Sequence, residues 1–178
     1  MLITLLLQLL PVPVVLRWCS LVLLLPAFWW ARTVYREAAR TRHKREIGAR
    51  LTRLPDDFVI LHDVTLPAPW GKTHIDEVVV SRFGLVAVSA GLPSGTMCER
   101  VESIRTLLFQ HGHLQPALKV IPLVLLPPRA RPVRHDEPNV RVVGVEYLRF
   151  DHLAPHQQPV LTDQRVRAMA QCLLNASL

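Results

Sequence analysis

From Leu2 to Ala31 the chain is dominated by apolar side chains, interrupted by Gln8, Arg17, Ser20 and the prolines Pro11, Pro13 and Pro26. A helix needs about 20 residues to cross the hydrocarbon of a bilayer, so the run predicts an N-terminal transmembrane helix over about residues 13–30. Arg17 would snorkel to one interface, and Trp29 and Trp30 would sit at the other. A bent or re-entrant pair that also takes in Leu2–Leu10 remains the alternative. The segment Ala31–Leu54 has no proline and only Gly48, which predicts that the helix continues; Ile47, Leu51 and Leu54 recur at i, i+4 and i+7 and should face a core. After Pro55 the period becomes that of strands. Phe58–Leu66, Thr73–Ser81 and Gly84–Ala90 read as a three-stranded meander with turns at Pro67–Lys72 and at Arg82-Phe83-Gly84. A helix over Met97–Leu114, a nearly all-apolar strand over Lys119–Leu126, a loop over Pro127–Pro138, a strand over Val140–Val145 and a closing helix over Asp163–Asn175 complete the pattern. That order implies an α/β sandwich with a mixed sheet.

Charge sharpens the division of the chain. The net charge is +7 over 178 residues. Residues 1–31 carry Arg17 alone among Lys, Arg, Asp and Glu. Residues 32–54 carry eight Lys/Arg against Glu37 and Glu46, and residues 55–178 are balanced. A nucleic-acid-binding domain spreads its cations over a binding face, whereas this excess directly follows the apolar run. Positive-inside reasoning then puts the soluble part in the cytoplasm, with the chain held at the inner or cytoplasmic membrane. Three segments result: an anchor at 1–31, a basic juxtamembrane helix at 32–45 and a soluble domain at 46–178. Arg32, Arg36, Arg40 and Lys44, spaced four apart, form a stripe that either attracts anionic lipid or only sets topology. Cys19, Cys98 and Cys172 show no CxxC spacing, which excludes a zinc ribbon and leaves them as buried thiols.

The stretch from Ile47 to Ala90 resembles the NERD family, the nuclease-related domain. The resemblance rests on the apolar helix with Ile47, Leu51 and Leu54, on Phe58-Val59-Ile60-Leu61-His62-Asp63-Val64, and on His74-Ile75-Asp76-Glu77-Val78-Val79-Val80-Ser81 followed by Gly84-Leu85-Val86-Ala87-Val88. It implies a fold like that of the restriction-endonuclease-like PD-(D/E)xK nucleases. Such enzymes need carboxylates converging on Mg²⁺ and a lysine beside the attacking water. Asp76 matches the first carboxylate, but the second carboxylate and the lysine fall on Ser89 and Gly91, and the family's upstream helical glutamate falls on Lys44. Asp76, Ser89 and Gly91 are therefore expected to be a vestigial site with no resident metal.

Two functions of different class follow. One is a non-catalytic, membrane-anchored interaction module for a protein or nucleic-acid partner. The other is a metal-dependent nuclease on DNA or RNA with a rearranged site, which would take Mg²⁺. A scaffold that uses only the basic stalk is a third. Arg129, Arg131 and Arg134 are candidate phosphate contacts. His111, His113, His152 and His156 are expected at the surface or in caps rather than on a metal, since Pro155 breaks the one helical spacing among them. The expected partners are the lipid bilayer and either nucleic acid or a membrane-associated protein complex.

Overall fold

A computed structural model describes residues 12–68, 71–91, 97–115, 118–128, 130, 139–156 and 158–177, with side chains in the first helix described at Pro26 and from Phe28 onward. That helix, α1, runs Val12–Leu51. Three strands follow, β1 (Phe58–Ala68), β2 (Gly71–Ser81) and β3 (Gly84–Ala90), then α2 (Met97–Gln110) and β4 (Val120–Leu126). β5 (Arg141–Gly144), a 3₁₀ turn at Val145–Tyr147, α3 (Phe150–Leu153) and α4 (Asp163–Ala176) complete the chain.

Among the described residues no helix is long and apolar enough to cross a membrane. This overturns the N-terminal transmembrane helix expected from the sequence. The physical reason is visible in α1. Its helix does not end where the apolar run ends. The apolar part of α1 is interrupted in sequence by Pro13, Arg17 and Pro26, the last inside the helix, and the charge-rich stretch begins at Arg32. The alternative entry of Leu2–Leu10 lies outside the described residues. Residues 1–42 and 43–178 cluster as two compact units. In the first, Phe28, Trp29, Trp30 and Tyr35 are all exposed.

In the second unit the described strands form one sheet in the order β1-β2-β3-β4-β5. The meander β1-β2-β3 is antiparallel, and β4 and β5 add parallel to it. A parallel neighbour requires a crossover, and α2 provides it between β3 and β4. One hydrophobic cluster joins Val78, Val80, Leu85 and Ala87 to α2 and α4 through Ile104, Leu108, Met169 and Leu173. A second joins Val79, Val86, Val88, Leu123 and Leu125 to the end of α1 through Ile47 and Leu51, and to Leu153 of α3. Alternate residues of β2, β3 and β4 thus enter different clusters, and every residue of β3 is buried. That explains its unbroken apolar run. Gly84 closes the β2–β3 turn at φ 125, where a Cβ would lie 3.1 Å from the Lys119 carbonyl oxygen; the backbone conformation and the close approach both call for glycine. Of the two cysteines described at side-chain level, Cys98 is exposed, not buried as expected, and Cys172 is half-buried.

Candidate functional site

β1 and β2 do not alternate perfectly, and the lapse builds the site. Leu61 and Val64 both enter the cluster under α2 and α4, as do Ile75 and Val78, although each pair is three residues apart where a regular strand requires an even spacing. Each strand therefore slips by one residue between these positions. The slips lie opposite one another, because His62 pairs with Glu77 and Val64 with Ile75. Asp63 absorbs the irregularity at φ 50, a left-handed conformation that aspartate tolerates better than most residues. The outcome is a group of ionisable side chains, His62, Asp63, His74, Asp76 and Glu77, on two neighbouring strands.

Asp76 is its centre and is 3% exposed. Lys44, on the turn of α1 before Ile47, brings its ammonium Nζ to 2.7 Å from Asp76 Oδ1 and 3.1 Å from Asp63 Oδ1. The other carboxylate oxygen, Oδ2, accepts from the Ala90 N–H at 3.0 Å and from the Ser89 hydroxyl at 3.2 Å. Ser89 in turn accepts from Arg100 Nη1 of α2 at 3.2 Å. Burial on its own would raise the Asp76 carboxyl, but Lys44, the Ala90 amide and Ser89 outweigh it and hold the group below its ordinary value. Burial likewise works to lower Lys44, and the two aspartates more than reverse it. Docking of α1 is fixed next door by His43, whose Nε2 donates to the Leu125 carbonyl oxygen at 2.9 Å.

The structure thus brings Asp76 and Ser89 into hydrogen-bond contact, while Gly91 serves the backbone. Gly91 has φ 81, and its N–H donates to the Leu125 carbonyl oxygen at 2.8 Å. A lysine there would be strained in that left-handed conformation. Lys44 leaves the basic stripe for the buried aspartate, whereas Arg32, Arg36 and Arg40 are exposed. Arg129, Arg131 and Arg134 lie outside the described residues. His152 caps a turn, its Nδ1 accepting from the Arg149 N–H at 3.0 Å.

Asp63, His74 and Asp76 each offer one ligand atom, all within 4.8 Å of one another. They do not fit Mg²⁺ as arranged. Mg²⁺ asks for oxygen ligands in a near-ideal octahedron at about 2.0–2.1 Å; here one ligand is an imidazole, and the two carboxylates already share an ammonium. Beside this group, Glu77 is buried and pairs with half-exposed His62. Burial pushes the Glu77 carboxyl up to about 7 despite the pull of His62, and the neighbouring Asp63 and Asp76 add to the rise.

His62, Asp63, His74 and Arg100 are not among the site residues expected from the sequence. For the first two a signal was present: His62-Asp63, like Asp76-Glu77, is a polar pair enclosed by apolar residues three apart. The chain matches no family model and no curated protein.

Proposed function

We propose that the chain is a NERD-like domain that keeps a nuclease-like scaffold without nuclease chemistry and acts as an interaction module for a protein or nucleic-acid partner. The observation that carries this reading is the Lys44 ammonium 2.7 Å from Asp76. A metal-dependent nuclease needs its first carboxylate free to bind a divalent cation; here a tethered monovalent cation and two hydrogen-bond donors saturate both oxygens. Ser89 offers a neutral hydroxyl in the place of a second carboxylate, and Gly91 offers no cation to stabilise charge building on a phosphoryl group. Purified full-length protein should leave supercoiled plasmid, linear duplex and single-stranded RNA intact for hours with Mg²⁺ or Mn²⁺, with Asp76→Ala giving the same result. Cleavage that needs metal and disappears in Asp76→Ala would establish the nuclease alternative instead.

The first unit supports a role at an anionic lipid surface. Exposed Trp29 and Trp30 stand beside exposed Arg32, Arg36 and Arg40, a combination suited to the interface, where indole rings enter the headgroup layer and guanidinium groups meet phosphates. Full-length protein should sediment with vesicles containing phosphatidylserine and be released as salt rises, since the attraction is screened over about 8 Å at physiological ionic strength. Replacing Arg32, Arg36 and Arg40 by glutamine should abolish sedimentation. Equal sedimentation with neutral vesicles would remove the electrostatic role.

A further inference from the structure

The second unit contains a cleft unconnected with the Asp76 cluster. It encloses about 500 Å³ and is lined by Glu46, Arg50, Arg53, Arg149, Phe150 and the leucines Leu54, Leu148 and Leu153, with Ala49 at its side. That volume lies within the range of small-molecule sites, about 300–1,000 Å³. Its charge is lopsided: three guanidinium groups face a single carboxylate. Arg50 is partly engaged by Glu46, one turn back on α1, at 3.7 Å. Arg53 and Arg149 have no ion-pair partner among the described residues.

Arg53 and Arg149 both line the cleft and neither is neutralised by a carboxylate among the described residues, so the cleft carries an uncompensated positive charge. An anion resolves it. Guanidinium forks match phosphate oxygens in paired hydrogen bonds, and an excess of two positive charges corresponds to a phosphate monoester dianion. The rest of the lining is suited to something other than bare phosphate. Phe150 is 43% exposed, yet its ring is fixed from behind by edge contacts to Phe58 at 5.4 Å and Phe83 at 5.3 Å. A fixed, partly exposed ring beside arginines is a platform on which a planar heterocycle can stack. Glu46 adds an acceptor for an amino or hydroxyl group. We propose that the cleft formed by Arg50, Arg53, Arg149 and Phe150 binds a nucleotide unit through its terminal phosphate and its base. The proposal does not depend on how the Asp76 cluster is read.

The test is calorimetric titration of full-length protein with AMP, inorganic phosphate and a 5′-phosphorylated ten-residue oligonucleotide. AMP should bind at least tenfold more tightly than phosphate and weaken as salt rises. Arg53→Ala with Arg149→Ala should weaken AMP at least tenfold without shifting the thermal unfolding midpoint, since both side chains are exposed. Phe150→Leu should weaken AMP and leave phosphate binding unchanged. The oligonucleotide separates the two sources of the same chemistry: competition with AMP at similar affinity extends the site to a nucleic-acid end, and no competition restricts it to free nucleotide. Absence of AMP binding at millimolar concentration, binding indifferent to the double arginine variant, or phosphate binding as tight as AMP would each overturn the proposal.

Discussion

Lys44→Ala is expected to lower the unfolding free energy of the full-length chain by about 2–3 kcal/mol at pH 7 and to make its stability responsive to divalent cations. Removing one partner of a buried ion pair costs about 3–5 kcal/mol, because the charge left behind has lost its solvent as well as its partner. Asp76 is that charge, at 3% exposed, while the Lys44 side chain retains 29% of its surface, so water takes back part of the loss. The variant leaves Asp63, His74 and Asp76 without their ammonium. Ligand atoms of a tetrahedral Zn²⁺ bound at about 2.0–2.2 Å lie roughly 3.3–3.6 Å apart; His74 Nε2 is 3.5 Å from Asp63 Oδ1 and 3.8 Å from Asp76 Oδ1, and all three ligand atoms lie within 4.8 Å of one another. The histidine is already near those separations, and once the ammonium is gone the two carboxylates need to close by no more than about 1.5 Å. Urea unfolding with and without Zn²⁺ should therefore show a metal-dependent rise in midpoint for Lys44→Ala and none for the wild type. Adding Asp76→Asn to Lys44→Ala should restore part of the lost stability and remove the metal response, because the stranded charge is then gone. Unchanged stability in the single variant would show that the ion pair holds nothing together.

The sequence located this sheet well and this site only in part, for reasons that lie in particular residues. Gly84–Ala90 is legible because every one of its side chains is buried, leaving an unbroken apolar run between a glycine turn and a small-residue exit. β5 is shorter than its apolar residues suggest, since Val145 leaves the strand for a 3₁₀ turn and packs into the second cluster beside Leu153. Asp76 is legible from the block in which it sits. Lys44 is not, because its partners are 19 and 32 residues away and its fourfold spacing with Arg32, Arg36 and Arg40 reads as a uniform surface stripe. Only the packing of Ile47 and Leu51 sets Lys44 apart from that stripe, by drawing its end of α1 onto the sheet. The membrane span failed for the converse reason. A long apolar composition is a local property, whereas crossing a bilayer depends on how far an uninterrupted apolar helix extends, and the apolar part of α1 is broken in sequence by Pro13, Arg17 and Pro26. The slip in β1 and β2 was written in the spacing of Leu61 to Val64 and Ile75 to Val78, a departure from alternation that is meaningful only once the two strands are paired in register.

Glu77→Gln should flatten the dependence of stability on pH between about 5 and 8 and make the chain more stable than the wild type at pH 8. The Glu77 carboxyl is pushed up to about 7, above the 4.5 of a free glutamate, first by burial and then by Asp63 and Asp76, with His62 pulling the other way. A group that binds its proton more tightly when folded adds stability that is fully present below its unfolded pKa and is lost as pH rises through its folded pKa. For Glu77 the loss runs from about pH 4.5 to about 7. One pKa unit corresponds to about 1.4 kcal/mol; discounted for solvent screening around the half-exposed His62 beside it, the penalty at pH 8 is on the order of 1–2 kcal/mol. Glutamine has the shape of the protonated carboxyl and cannot ionise, so it should match the wild type near pH 5 and exceed it at pH 8. Asp76 does not obscure the comparison, because its carboxyl lies below its ordinary value and its stability is lost only under more acidic conditions. Urea midpoints of both proteins at pH 5 and pH 8 decide the matter: a wild-type decline that persists undiminished in Glu77→Gln would assign the pH dependence to another group and leave the Glu77–His62 pair without a part in it.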